Sequence, residues 1–384
     1  MNSEEKSSYY SKREKIFRIL KYVTLIVLIL FTVIASIAGR SHLSISSFDS
    51  FINYIRINPK LSEAEYGGVY YSASPDSKFA IFDNQLVVFS NGILNFYSFS
   101  GIKLSSFDNG CDEMNANGKY CCCYNTNSGN ILLYNYYSEA YSFTTDNTLS
   151  KVVTGKLGGF ATISASGSEM YAEVYSKEFK TVMKTEKTSG TIYDCALDEN
   201  EKMIAVLIQD QQDSFRTANV VVNRINDGKE LLREKYTGEI SVSVGFVADR
   251  LYCITDKCIR FFDSSFKETE KLSFEGNLLR IFKGENGVVV STYKDGVTTS
   301  KLLTKDGKSK LTVNCEGKAL KCVFDESRMF LLSSSGIYSA SDDGQIEKTE
   351  VYGVRDLFLL GSSDVMLCFD DRTDLLSNEK EVKS

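Results

Sequence analysis

The segment "IRFFDSSFKETEKLSF", Ile259 to Phe274, reads as a strand, a tight turn around Ser265 and a second strand. Aromatic and β-branched residues fill the first limb. Asp and Ser sit at the reversal, where short polar side chains bond the adjacent backbone. The same plan recurs in "LNFYSFSGIKLSSF" (Leu94–Phe107), "LLYNYYSEAYSF" (Leu132–Phe143), "VVNRINDGKELLREKY" (Val221–Tyr236), "SKLLTKDGKSKLTV" (Ser300–Val313) and "IYSASDDGQIEKTEV" (Ile337–Val351). With a weaker copy in residues 140–190, the turns fall near Gly101, Ser138, Lys177, Gly228, Ser265, Gly307 and Gly344. Successive turns are 37, 39, 51, 37, 42 and 37 residues apart, and the long interval holds the polar insert "QDQQDSFRT", Gln209 to Thr217.

A repeat of about 40 residues built from short strands is the signature of a β-propeller blade. Between the hairpins lie apolar runs such as "NQLVVFSN", "DRLYCITD" and "SRMFLLSSSG", each bounded by turn formers. The composition agrees, with 24 Phe, 22 Tyr, 26 Gly and only 2 Pro in 384 residues. After the seventh hairpin, "VRDLFLLGSSDVMLCFDDRTDLLSN" (Val354–Asn378) supplies two or three more strands and stops. The unpartnered "YGGVYYSA" (Tyr66–Ala73) supplies the missing outermost strand, so that no sheet edge is left at the seam. The expectation is an all-β propeller of eight blades closed by an N-terminal strand. Seven blades is the alternative if residues 140–190 do not form a blade of their own. Within the closing strand, Val69 and Tyr71 are expected on one buried face, Tyr70 covering the other, and the partner strand near Arg372 to Ser377.

Three consecutive cysteines, Cys121 to Cys123 in "KYCCCYN", fit the second strand of a blade. Such a strand is covered on both faces, so Cys121 and Cys123 face one neighbour while Tyr120, Cys122 and Tyr124 face the other. Cysteine there acts as a small hydrophobe. A zinc site would need ligands at turn spacing or histidine, and consecutive residues of a strand point apart. Cys253 and Cys258 flank a two-residue turn at Asp256-Lys257 that pairs Thr255 with Cys258 and leaves Cys253 out of register for a bridge. Ten cysteines expected as free thiols on an exported domain suit a reducing, anoxic environment.

Residues 1–21 carry six Lys/Arg and three Glu, whereas the rest of the chain carries 38 basic and 47 acidic residues. An acidic body argues against nucleic acid as a partner, because phosphate neutralisation needs Lys/Arg patches. "YVTLIVLILFTVIASIAG", Tyr22 to Gly39, is 18 residues without a charge, flanked by Arg18 and Lys21 before it and Arg40 after it. It reads as a transmembrane helix with the N-terminus cytoplasmic and the body outside. Cleavage after Ala38 as a signal peptide is the competing reading. In "SSFDSFINYIRINP", Phe48, Phe51, Ile52 and Ile55 form one apolar helical face before Pro59. The expected organisation is a basic cytoplasmic tail (1–21), a transmembrane helix (22–39), a juxtamembrane linker with a short amphipathic helix (40–65), a propeller (66–378) and a disordered tail (379–384).

The only histidine is His42, so histidine triads and histidine metal sites are absent from the body. "DGKS" (Asp306–Ser309) lacks the earlier glycine of a phosphate loop, since position 302 is Leu. The acidic clusters Asp198-Glu199-Asn200 and Asp370, Asp371, Asp374 are residue types for calcium or glycoside chemistry, and equally for solvated turns. The tyrosines of "YNYYSEAY" (Tyr134–Tyr141) suit sugar stacking or packing. No catalytic, cofactor-binding or metal-binding residue is assigned, and no cofactor is expected.

A basic tail, one membrane helix, a juxtamembrane helix and hairpins such as "VVNRINDGKELLREKY" resemble an uncharacterised family of single-pass, membrane-anchored propeller proteins of Gram-positive anaerobic bacteria, in the WD40/quinoprotein-like superfamily. The chain departs from that family's repeat by having no Trp after the hairpin turn. The resemblance implies a fold and no functional residues. The expected function is a membrane-anchored extracytoplasmic binding or scaffold module for a protein or small-molecule partner on a propeller rim. The alternative is an extracytoplasmic lyase or glycosidase using carboxylates and Tyr at the channel mouth.

Overall fold

Each of the seven hairpins joins the third and fourth strands of a four-stranded antiparallel sheet. The computed structural model describes residues 21–22, 68–126, 128–188, 190–212, 215–360 and 364–377. Residues 78–108, 113–144, 148–184, 191–237, 241–273, 277–316 and 319–349 form blades 1 to 7, and residues 356–377 give blade 8 three strands. The alternative of seven blades is therefore excluded, and residues 140–190 contain a complete blade 3. The expected tail, membrane helix and linker (1–65) lie outside the described residues apart from Lys21 and Tyr22, as does 379–384. No helix among the described residues is long and apolar enough to cross a membrane.

The core is eight layers, one between each pair of neighbouring blades. The second strand of a blade serves two of these layers at once. In blade 5, Leu251 and Cys253 pack toward blade 4 while Tyr252 and Ile254 pack toward blade 6. Alternation of side chains along a strand gives each neighbour every second residue, which is why these strands read as unbroken apolar runs. Cys121 and Cys123 pack toward blade 1, and Cys122 with Tyr124 toward blade 3, as the sequence implied. All ten cysteines are free, nine of them buried. Cys253 pairs across the hairpin with Arg260 and not with Cys258.

Blade 8 takes its fourth strand from the N-terminal segment. Tyr71 N donates to Asp371 O (3.0 Å), Ala73 N to Asp370 O (3.1 Å), and Thr373 N to Val69 O (2.9 Å). Val69 is fully buried between blades 8 and 1, with Tyr71 packed against the same layer. The Tyr71 hydroxyl reaches the carbonyls of Phe369 (2.9 Å) and Arg372 (2.8 Å). Two details differ from expectation. The described pairing runs along Asp370–Thr373, nearer the second-to-third-strand turn than anticipated. Tyr70 is 74% exposed, so the face of the closing strand opposite Val69 and Tyr71 is open to solvent there.

The insert of blade 4 is not a loop. Its second and third strands, Met203–Gln212 and Phe215–Arg224, stay paired over ten residues each. The polar residues belong to a hairpin arm that extends past the neighbouring blades' strands, with Phe215 62% exposed beside its tip.

Candidate functional site

The first strands of the blades surround the axis, and those of blades 3 to 7 share a device. In each, the ladder to the second strand slips by one residue, skipping Ser150, Tyr193, Val242, Leu279 and Leu320 in turn. A bulge inserts one extra residue and re-aims those beside it. In blade 4 it leaves Tyr193 50% exposed and Asp194, the next residue, 3% exposed.

Asp194 is the centre of the axial site. Lys151 of blade 3 meets its Oδ1 at 2.6 Å, and Lys283 of blade 6 meets Oδ2 at 2.9 Å. From blade 5, Ser243 Oγ (2.7 Å) and Val244 N (3.1 Å) both donate to Oδ2. Lys283 also donates to Val244 O at 2.9 Å. One carboxylate thus joins the first strands of four successive blades. Burial alone would raise its pKa, but the ammonium groups of Lys283 and Lys151 outweigh burial and hold it down at about 2. Further around the ring, Lys78 pairs with Glu113 (2.5 Å) and Lys321 with Asp356 (2.7 Å), again between neighbouring first strands.

Above Asp194 an axial cavity of about 490 Å³ opens among the turns joining first and second strands. At its mouth Lys156 of blade 3 reaches Glu199 of blade 4 (3.1 Å) and Glu285 of blade 6 (3.2 Å). Tyr252 and Gly245, cross-strand partners in blade 5, form part of its wall.

A larger groove of about 1290 Å³ lies on the same rim, over blades 3, 4 and 5, with Lys119 of blade 2 at its border. Val174, Leu197, Met203, Ile225 and Leu231 give it an apolar floor, and Leu157 and Val182 add exposed apolar surface. Lys119, Lys177 and Arg224 face Glu178 and Asp249 around it, so its border carries both signs. The turn Asp198–Lys202 separates the two cavities. Asp198 Oδ1 accepts the amides of Lys202 (2.7 Å) and Met203 (2.6 Å), and burial raises its pKa. Glu201 reaches into the neighbouring blade, accepting the amides of Leu157 (2.7 Å) and Gly159 (3.0 Å). A Cβ at Gly155 or Gly159 would collide with that carboxylate, so these glycines make room for it.

The outer turns mark the same region. In six of the seven, one residue adopts a left-handed backbone: Gly101, Gly228, Gly307 and Gly344, but Phe179 in blade 3 and Phe266 in blade 5. A bulky side chain there costs about 1–2 kcal/mol. Phe179 recovers packing by stacking on Tyr141, with centroids 4.2 Å apart, and Phe266 walls the groove.

The acidic clusters seen in sequence have separate fates. Asn200 lines the groove, Glu199 serves the axial mouth, and Asp198 borders both. Asp370 pairs with Arg355, and Asp371 and Asp374 with Arg372, all beside the seam. Tyr134 is buried and Tyr141 is stacked, so both are packing residues. Asp194 was not singled out from sequence. Its signal was a lone carboxylate in the apolar strand "TIYDCAL".

A family model described as a family of unknown function (DUF5711) matches residues 63–376. No curated protein matches the chain. Among solved structures, the chain is similar to Sqt1 of Saccharomyces cerevisiae, with TM-score 0.60 and 11% identity over 82% of this chain and 100% of that one. It is also similar to the computationally designed Ika8 protein, at TM-score 0.56 and 14% identity over 82% and 98% of the two chains. BamB from Moraxella catarrhalis is a third, at TM-score 0.53 and 11% identity over 80% and 100%. At these identities the likeness concerns the fold.

Proposed function

The chain belongs to this family of unknown function, DUF5711, and we propose that its propeller is a binding module that holds an extended segment of a partner protein in the groove over blades 3 to 5. The observation that carries the reading is the groove itself. Its volume of about 1290 Å³ exceeds the roughly 300–1,000 Å³ of small-molecule sites. Its apolar floor and mixed-charge border match the anatomy of a protein interface, with an apolar centre and a polar rim. We place the module outside the membrane, carried by the helix read at residues 22–39, with residues 1–21 in the cytosol.

The carboxylate arrangement favours binding over glycoside chemistry. Hydrolysis requires one carboxyl as acid and a second as base or nucleophile. Here Asp194 is locked between two lysines, Glu201 is filled by two amides, Asp198 is held in its own turn, and Asp356 is paired with Lys321.

A photo-crosslinking residue at Leu157, 53% exposed beside the groove, should trap a discrete partner in cells. The same residue at Tyr352, 73% exposed between blades 7 and 8, should not. The adduct should disappear in Val182→Glu, which adds charge to the groove edge. Adducts at both positions, or one that survives Val182→Glu, would refute the groove. Protease added to intact protoplasts should degrade the propeller and spare the N-terminal segment, and a protected propeller would refute the topology.

A further inference from the structure

We infer that Phe266, on the outer turn of blade 5, is the residue by which the groove recognises its partner, and that the partner segment presents an aromatic side chain to it; this rests on the groove being the binding site. The outer turns supply an internal comparison. In five of them the fourth residue donates its N–H to the carbonyl three residues back: Gly101 to Ser98 (3.0 Å), Phe179 to Ser176 (2.8 Å), Phe266 to Asp263 (3.0 Å), Gly307 to Thr304 (2.9 Å) and Gly344 to Ser341 (2.9 Å). In all five that residue is left-handed, with φ between 62° and 88°. This is the turn-plus-bulge form of a hairpin, and its left-handed position ordinarily takes glycine, because a Cβ is crowded there. The turn of blade 5 does not depend on its phenylalanine. It is held by Asp263, whose Oδ1 accepts the amides of Ser265 (2.9 Å) and Lys267 (3.0 Å). A phenylalanine in this position works against the turn, and strain of this kind persists where the side chain serves something else.

The two phenylalanines belong to blades 3 and 5, whose outer turns both line the groove. Phe179 has ring partners within the fold. It stacks on Tyr141 at 4.2 Å and 11°, and meets Tyr120 at 5.6 Å. Those contacts tie its turn to blade 2 and fix Ser176, Lys177 and Glu178 at the edge of the groove. Phe266 meets no other ring among the described residues. It is half-buried, packs with Met203 and Leu231 against the layer between blades 4 and 5, and lines the groove with them. A half-buried ring in such a wall offers an incoming aromatic side chain the stacking that Phe179 already has in Tyr141, and a thioether adds to contacts of this kind.

The test uses the full chain with the photo-crosslinking residue at Leu157. Phe266→Gly should lower the yield of adduct about tenfold, as the loss of an aromatic contact and its buried area does. Its melting temperature should stay within about 3 °C of wild type, because the relaxed turn offsets the lost packing. Phe266→Tyr keeps the ring and should keep the adduct, whereas Phe266→Leu keeps only an apolar side chain and should lose it. Gly344→Phe places the same residue on the outer turn of blade 7, where a Cβ meets nothing within 4 Å, and should lower the melting temperature by about 2–6 °C. An adduct yield unaltered in Phe266→Gly, or equal in Phe266→Leu and Phe266→Tyr, would overturn the assignment and leave the groove standing. Absence of an adduct in the wild-type background would overturn both. A fall of more than about 5 °C in Phe266→Gly would show that the ring serves the fold, and would overturn the assignment too. So would an unchanged melting temperature in Gly344→Phe, because a left-handed phenylalanine would then carry no cost.

Discussion

The seam of the ring can be tested residue by residue. Three neighbours in the closing strand occupy different environments: Val69 is fully buried, Tyr70 is 74% exposed, and Tyr71 is half-buried with its hydroxyl on two carbonyls of blade 8. Val69→Ala removes two methyl groups from the layer between blades 8 and 1. At about 0.8 kcal/mol per buried carbon plus a cavity contribution, the loss is about 2 kcal/mol. Tyr71→Phe keeps the ring and removes one donor, for a loss of about 1 kcal/mol. Tyr70→Ser should change stability by less than about 0.5 kcal/mol, as exposed positions do. In a domain of this size 1 kcal/mol corresponds to roughly 2–3 °C in Tm, so the expected falls are about 5, 2 and 1 °C or less. Thermal melts by circular dichroism on the full chain and the three variants give the ranking. Equal falls at positions 69 and 70, or none at 69, would mean that the segment does not close the ring.

The axial ion cluster has a pH signature. With Asp194 at about 2 in the folded chain and about 3.9 unfolded, its pairing contributes about 2.5 kcal/mol, present above pH 4 and lost as the pH falls through 2. About half should remain at pH 3, so the urea stability gap between wild type and Asp194→Asn should shrink by about half from pH 6 to pH 3. A gap that does not depend on pH would show that the carboxylate charge is not what matters. The thiols make a further test. Burial raises Cys195 and Cys253 to about 12, so the native chain should resist iodoacetamide at pH 8, while the denatured, unreduced chain should take up ten labels. Rapid labelling of the native chain would refute the buried-filler account of the cysteines.

The propeller was legible in the sequence because its determinants are local. A turn such as Asp263–Lys267 needs only its own Asp and Ser, and the apolar run Arg250–Thr255 needs only two covered faces; both recur at a fixed interval. The run of three cysteines was legible for the same reason, since alternation along one strand assigns each thiol to a neighbour. Even the seam could be inferred, from a strand without a partner at one end and a blade without a strand at the other. What the sequence could not show was which side chains meet at the axis. Lys151, Asp194, Ser243 and Lys283 span 133 residues and four blades, and their meeting depends on how successive sheets are rotated around the ring. The bulge before Asp194 is equally hidden, because a slip of one residue in a ladder leaves no local mark in "TIYDCAL" yet decides whether Tyr193 or Asp194 is buried. The groove is hidden for the same physical reason: its floor is assembled from turns and strand ends of blades 3 and 4, each ordinary alone, and only the packing of one blade against the next makes them a surface.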